Sequence, residues 1–450
     1  MLSLDTSVPF RKESMPSLRL PPLRLAALAA LGALALAPAA RASDPARGIS
    51  QVKLTYRGDP ATSLVVSWRD GAGAGAGTVA AVPAPADPAG CPAAAGCVGA
   101  TAVRNVLGTS EGPAYAFYQA ELTGLRPGTS YRYRVSDGAG PSATYTFRTA
   151  AGPGNDFTAA AVGEVHIGDT VQPGWPVPAL KPLTDQILAS GAEFTLSTGD
   201  NINTGATESE WERMFGANPT FFGSQPYMTA VGNHETYGSF SRGLPQPFFF
   251  AAFPQPTNGP DANGRSYSYD YNGVHFAVVE ANPETPRATF DAQLSWLKQD
   301  LADARSRTRY QVVIDHSPPF HSKASRVTPY ENPEFREGLV PIMDRYGVEM
   351  VISGHDKHYV RSFPLRGRRD PGATPSIAPT PVRPGRGTTY VELTSTGQYY
   401  TDFLRQNWME RAVPKTAAFL RLDFSRRGIG ARAIQPDGQE IDAFTVPHVK

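Results

Sequence analysis

Four short motifs each close an apolar, strand-like run: Gly163-Glu164-Val165-His166, Gly199-Asp200-Asn201, Gly232-Asn233-His234-Glu235 and Gly354-His355. A fifth piece, Val313-Ile314-Asp315-His316, falls between the last two. The apolar runs are Ala159 to Val162, Phe194 to Leu196, Met228 to Val231, Val274 to Val279, Val312 to Ile314 and Met350 to Ile352. Helical patterns lie between them. Phe290, Leu294, Leu297 and Leu301 fall on one helical face. Phe335, Leu339, Ile342, Met343 and Tyr346 form another, with Gly347 placed as its C-cap. Strands alternating with helices define a layered α/β domain, whose ligands sit beyond the carboxyl ends of the strands. The motifs fall at those ends, so one pattern constrains both the fold and the place of its site.

The segment upstream has a different rhythm. Residues 48–150 read as short strands with no helical period. Gln51 to Tyr56 alternates apolar and polar residues, and Ser63 to Trp68, Ala114 to Tyr118, Ser130 to Val135 and Ala143 to Phe147 are further runs. Pro127-Gly128 and Asp137-Gly138 punctuate them as turns. A β-sandwich is the economical reading. Ala151 to Asn155 reads as a linker, and residues 156–450 as the second domain. At its end, Ala417 to Val446 is strand-like again, with Asp437-Gly438 as a hairpin turn that lets this stretch complete the sheets.

At 450 residues the chain is long enough for two cores. Its 42 Lys and Arg balance 41 Asp and Glu, a net charge of +1. No global field draws nucleic acid or an anionic membrane, so attraction for an anionic substrate has to be local. Residues 1–42 have the layout of a secretory signal peptide: Arg19 and Arg24, an apolar run from Leu25 to Leu36, then Ala40-Arg41-Ala42. The run is too short to span a membrane, and the mature chain is expected to be secreted or periplasmic with no membrane span. The two cysteines, Cys91 and Cys97, lie in an Ala/Gly/Pro-rich stretch (residues 71–100) that reads as an insertion. In an exported protein they are expected to pair as a local staple, free surface thiols being the alternative.

Carboxylate, amide oxygen and imidazole are the ligands a hard or borderline divalent cation takes. Two such ions about 3.5–4 Å apart clamp a phosphate and activate water. Asp200 is placed to bridge both ions, because Gly199 before it permits close backbone approach. Asn233, His316 and His355 complete one four-ligand site with it. His234 follows Asn233 directly and is expected to face across the cleft as the catalytic group that protonates a leaving oxygen.

The ordered set of motifs resembles the calcineurin-like metallophosphoesterases. Gln51 to Trp68 and the pairing of domains resemble purple acid phosphatases, as do the Ser317-Pro318-Pro319-Phe320-His321-Ser322 run and the Tyr359, Arg361, Ser362 tail. Leu122 to Tyr131 resembles the EF corner of a fibronectin type III domain. The resemblance implies a multidomain chain, an all-β fibronectin III-like sandwich followed by a four-layer α/β/β/α metallophosphoesterase domain. It implies an acid phosphatase-like hydrolase with two divalent or trivalent ions (Fe, Zn or Mn), or only one tightly bound, acting on a small phosphorylated substrate and not on nucleic acid. A phosphodiesterase and a catalytically weak or inactive binding protein are the competing readings.

The chain departs from that pattern on one side of the site. The first motif carries Glu164 where the family has Asp. Asn203 stands where purple acid phosphatases place an iron-binding Tyr, so the protein is expected not to be purple. The last motif is Gly354-His355-Asp356-Lys357-His358, with Lys357 where the family has its second His. Glu164 and His166 are the expected ligands on this side. An ammonium does not bind a metal and repels one, which leaves two routes open: His358 swings in as a ligand, or Lys357 contacts the substrate phosphate. His321 and Tyr237 are further candidates to contact substrate. Asp315 and Asp356 adjoin ligands and are expected either to orient imidazoles or to face solvent. His275, inside a strand, reads as a packed residue, and Trp175 and Phe248 to Phe250 as buried ones.

Overall fold

Strand alternation sorts the apolar residues of the second domain into inner and outer faces. In Phe157–Val162, Phe157, Ala159 and Ala161 join a central core, while Ala160 and Val162 face the opposite way. In Tyr310–Ile314, Val312 and Ile314 enter the same central core and Val313 faces outward. Successive side chains on a strand point to opposite faces, so each strand feeds two cores. The computed structural model describes residues 48–109, 112–138, 140–168, 180–238, 246–261, 263–394 and 400–448, all within one compact unit. The leader of residues 1–42 and Trp175 lie outside the described residues.

Two sheets face each other across the central core. One runs, in spatial order, Tyr227–Thr229, Thr195–Ser197, Phe157–Val162, Phe419–Ser425, Gly428–Ile434 and Glu440–Val446. Its first three strands are parallel and its last three antiparallel, so the C-terminal stretch completes this sheet. The other runs Tyr267–Tyr271, Val274–Val278, Tyr310–Ile314, Met350–Ser353, Thr389–Glu392, Tyr359–Ser362 and Met409–Val413. Helices Leu180–Ala189 and Glu208–Ala217 bury Leu183, Ile187, Trp211 and Met214 against the outside of the first sheet. Helices Arg287–Ala304 and Pro333–Tyr346 bury Phe290, Leu297, Leu301, Phe335 and Leu339 against the outside of the second. The layers are therefore α/β/β/α, as expected. Gly347 ends the Pro333–Tyr346 helix in the left-handed conformation (φ 66°), which glycine adopts without a Cβ clash.

The upstream segment is a sandwich of two four-stranded antiparallel sheets. Its core holds Trp68 stacked on Tyr118 (ring centroids 5.1 Å apart) and Tyr131 stacked on Phe147 (5.3 Å). The Tyr131 hydroxyl accepts the Arg126 backbone N–H at 2.9 Å, the corner bond expected of this sandwich type. Cys91 and Cys97 are disulfide-bonded. One expectation needs correction. The stretch read as an insertion supplies strands Thr78–Pro83 and Val98–Thr101, half of the second sheet. Its alanines hide the alternation, yet Val79 and Ala81 point into the core.

The sandwich shares buried contacts with the layered domain. Tyr56 packs edge-on against Phe194, and the Tyr133 hydroxyl donates to the Gly223 carbonyl at 2.6 Å. Among the described residues, no helix is long and apolar enough to cross a membrane.

Candidate metal centre

The loops that follow five parallel strands meet where the two sheets come together. Backbone bonds knit the first two loops: His166 N–H donates to Asp200 O (2.9 Å) and Ile167 N–H to Asn201 O (3.1 Å). The second and third loops approach so closely that both need glycine. A Cβ on Gly199, whose φ is 90°, would lie 2.5 Å from Gly232 N, and one on Gly232 would lie 2.2 Å from Asp200 Oδ1. Across this junction Glu235 acts as a clamp. Its carboxylate, fully buried, accepts N–H bonds from Asp200 (2.9 Å), Gly232 (2.8 Å), the Asn201 backbone (2.8 Å) and the Asn201 side chain (3.1 Å). Glu235 sits inside a sequence motif, but nothing in its spacing announces this role.

The backbone is forced at the same place. Among the described residues, seven non-glycine residues have positive φ, and four belong here: His166 (49°), Asp200 (52°), His355 (64°) and Lys357 (54°). Such conformations persist only where surrounding structure over-determines them, and they concentrate at functional sites.

Two ligand groups share Asp200. In the first, Glu164, Asp200, His316 and His355 offer ligand atoms that all lie within 4.8 Å of one another. In the second, His166, Asp200 and His234 do the same. Asn233 joins the first group, its Oδ1 3.0 Å from His316 Nε2. The His316 ring is aimed by its other nitrogen, since Nδ1–H donates to the Thr198 carbonyl at 2.9 Å. Glu331 contacts His355 Nε2 at 2.9 Å and pairs with Arg326. It was not foreseen, because it comes from a loop with no motif. Buried carboxylate, amide oxygen and imidazoles converging on one point fit a divalent ion, and Zn, Mn and Fe(II) all accept this donor set.

The charges follow from burial and proximity. Burial pushes the Asp200 carboxyl up, but His316, His234 and the His166 hydrogen bond outweigh it and hold Asp200 well below the usual range. Burial, Lys357 and His234 push His166 down to about 4. His355 is pushed down to about 3 by burial and Arg326. Both imidazoles are thus neutral near pH 7, the form that ligates metal. Glu164 is raised by burial and lowered by the Lys357 ammonium, with a net downward shift.

His234 is placed differently from the other members of these groups. Its Nδ1–H donates to the Asn203 carbonyl at 2.6 Å, and its Nε2 lies 3.9 Å from Asp200 Oδ2. Its side chain is 20% exposed, against 2% or less for those of His166, Asp200 and His316, so of these four this is the side chain that solvent reaches. Tyr237 stands beside it, half-buried, with ring centroids 4.5 Å apart and its hydroxyl accepting from Asn233 Nδ2 at 2.6 Å.

Three expectations do not hold. His358 is not at the ligand cluster, because its Nδ1 meets Ser322 Oγ at 2.8 Å and its Nε2 the Tyr400 carbonyl at 3.2 Å. His321 does not face a substrate, because its ring nitrogens contact Asp356 (3.1 Å) and the Glu331 carbonyl (3.2 Å) and the residue is buried. Asp315 neither contacts an imidazole nor faces solvent, whereas Asp356 does meet an imidazole, that of His321 and not that of His316 or His355. Ser353 donates to Asp315, while Asp356 accepts from the backbone N–H of Ser322 (2.6 Å) and Lys323 (2.9 Å) and from Arg326 (2.8 Å). Lys357, the candidate to contact a substrate phosphate, is buried. Its Nζ lies 2.6 Å from Glu164 Oε2, with both side chains almost wholly buried.

Residues 163–359 match the calcineurin-like phosphoesterase family, and residues 49–149 match the purple acid phosphatase N-terminal domain. The first match identifies a phosphoesterase domain, that of a phosphoric ester hydrolase. Within that class the chain carries a calcineurin-like phosphoesterase domain behind the N-terminal domain of the purple acid phosphatases. An uncharacterized protein of Mycobacterium tuberculosis is 26% identical over 368 residues, 76% of this chain and 67% of that one. Purple acid phosphatase 21 of Arabidopsis thaliana is 27% identical over 278 residues, 59% of each chain. This chain therefore spans about two thirds or less of these relatives. The structure of a purple acid phosphatase from yellow lupin seeds superposes with a TM-score of 0.73 at 17% identity, covering 89% of this chain and 75% of that one, a likeness of fold.

Proposed function

We propose that the protein is a metal-dependent phosphomonoesterase of the acid phosphatase kind, acting on small phosphorylated substrates. One observation carries this reading: Asp200, Asn233, His316 and His355 converge on one buried point while the His234 imidazole beside them is partly open to solvent. Asp200, Asn233, His316 and His355 would hold a Zn, Mn or Fe ion, with Glu164 and His166 on the adjoining side. A bound ion supplies Lewis-acid polarisation of a phosphoryl oxygen and activation of water. His234, its Nδ1–H held by the Asn203 carbonyl, turns Nε2 to the leaving oxygen and delivers a proton from there in its doubly protonated form, which burial disfavours and acid pH supplies. Tyr237 borders the substrate's place next to His234. The basic, apolar and small-residue pattern of residues 1–42 supports export of the chain, to the periplasm or beyond. Residues 48–150 and 156–450 are the two domains in this reading, joined at Ala151 to Asn155.

The buried Lys357–Glu164 pair favours a second reading, a protein of this fold that binds a phosphorylated ligand with little turnover. Stripped protein reloaded with Zn, Mn, Fe or no metal decides between them, assayed on p-nitrophenyl phosphate from acid to mildly alkaline pH. Metal-dependent turnover supports the hydrolase. Folded, metal-loaded protein without turnover supports the binding protein. Faster release from bis-p-nitrophenyl phosphate would make it a diesterase.

A further inference from the structure

We propose that the Lys357 ammonium takes the place of a second metal ion, so that the protein holds one ion per chain. This rests on the hydrolase reading above and fixes its metal count. The two ligand groups share Asp200, an arrangement that ordinarily invites two cations. Glu164 belongs to the first of these groups, but its Oε2 is also 3.6 Å from His166 Nε2 of the second, and on that side a cation is already built in. Lys357 Nζ sits 2.6 Å from Glu164 Oε2, with side-chain exposures of 3% and 1%. Glu164 therefore spends its charge on the ammonium, and a divalent ion arriving beside it meets a fixed positive charge at short range and low polarity.

Three features keep the ammonium there. Lys357 has φ 54°, so its backbone is locked in a conformation that few residues adopt. The preceding Asp356 is pinned by the backbone N–H groups of Ser322 and Lys323 and by Arg326, which fixes the loop. The Tyr400 ring lies 5.6 Å from Nζ and lends its π-face to the charge. His358 cannot substitute as a ligand without breaking its bonds to Ser322 and Tyr400. His166 remains, but its Nε2 is 3.1 Å from Asp200 Oδ2 and shares that carboxylate with the first group.

The charges close on this assignment. Glu164 and Asp200 against Lys357 leave a single negative charge, Glu331 beside His355 being paired with Arg326, and one divalent ion turns it into a single positive charge, suited to a phosphate group. Two ions beside the lysine would leave a large uncompensated positive charge in a buried pocket.

The test is to saturate the full chain with Mn(II), count Mn per protein by elemental analysis, and record its EPR spectrum. One ion with the spectrum of an isolated centre is expected for the native chain and for Lys357→Arg. Lys357→His is expected to take up a second ion and to show a spin-coupled pair. Two coupled ions in the native chain overturn the proposal even where turnover is present, leaving the hydrolase reading intact. A folded Lys357→His protein that still holds a single ion also overturns it. One ion without turnover on any ester upholds the count and removes the hydrolase reading. No ion on either protein overturns both.

Discussion

Replacing Glu235 by Gln tests the idea that one buried carboxylate holds the metal-binding loops in register. The substitution keeps shape and changes one oxygen into an NH2 group. Oε2 accepts from Asp200 and Gly232, and Oε1 accepts from the backbone and side chain of Asn201. Whichever oxygen is lost, two buried N–H donors lose their acceptor and face another donor. An unsatisfied buried donor costs about 1–3 kcal/mol, so the expected loss is about 2–6 kcal/mol. That is a large share of the roughly 5–15 kcal/mol that holds a domain together. Metal affinity should fall with stability, because Asp200 is positioned by the same clamp, its Oδ1 accepting the His234 N–H at 2.9 Å. Urea unfolding and metal titration of the purified variant measure the two effects. A stability change under about 0.5 kcal/mol with unaltered metal affinity would refute the clamp.

His234→Ala is expected to lower kcat by about 10²–10⁴ while leaving the number of bound ions unchanged, as kinetics and elemental analysis of one preparation would show. Loss of the metal together with activity would make His234 a ligand instead. Iron-loaded protein is expected to show no visible charge-transfer band, since Asn203 stands where a ligating tyrosine would be needed, and an absorption scan decides it. His275 lies between Asp270 (2.7 Å) and Asp300 (2.8 Å); burial pulls its pKa down, but the two carboxylates raise it above 6.5 overall. A folded-state pKa above the unfolded value stabilises fully below the unfolded pKa and is lost as pH rises through the folded one. Native Tm should therefore fall as pH rises above about 6.5, and His275→Gln should flatten that slope. An equal slope in both proteins would show that His275 is not its source.

Much of this protein is legible in one dimension, where periodicity is strong. Phe290, Leu294, Leu297 and Leu301 repeat at helical spacing and do form one buried face. The ligand motifs end apolar strands, so Asp200, Asn233, His316 and His355 could be named with their neighbourhood. Strands such as Tyr359–Ser362 and Thr389–Glu392 escaped notice because they are short and mixed in polarity, and only sheet pairing makes them strands.

What the tertiary structure decided is who faces whom. His316, His321 and His358 look alike as residues beside a motif, yet His316 turns its Nε2 to the cluster while the other two are spent on internal hydrogen bonds. Glu331 reaches His355 from a loop without a signature, and Lys357 is an obstacle in the sequence but a buried partner of Glu164 in space. Local pattern determines element type because backbone periodicity is local. Ligand choice and charge pairing are set by distances of a few ångström between residues far apart in the chain, and those come only from packing.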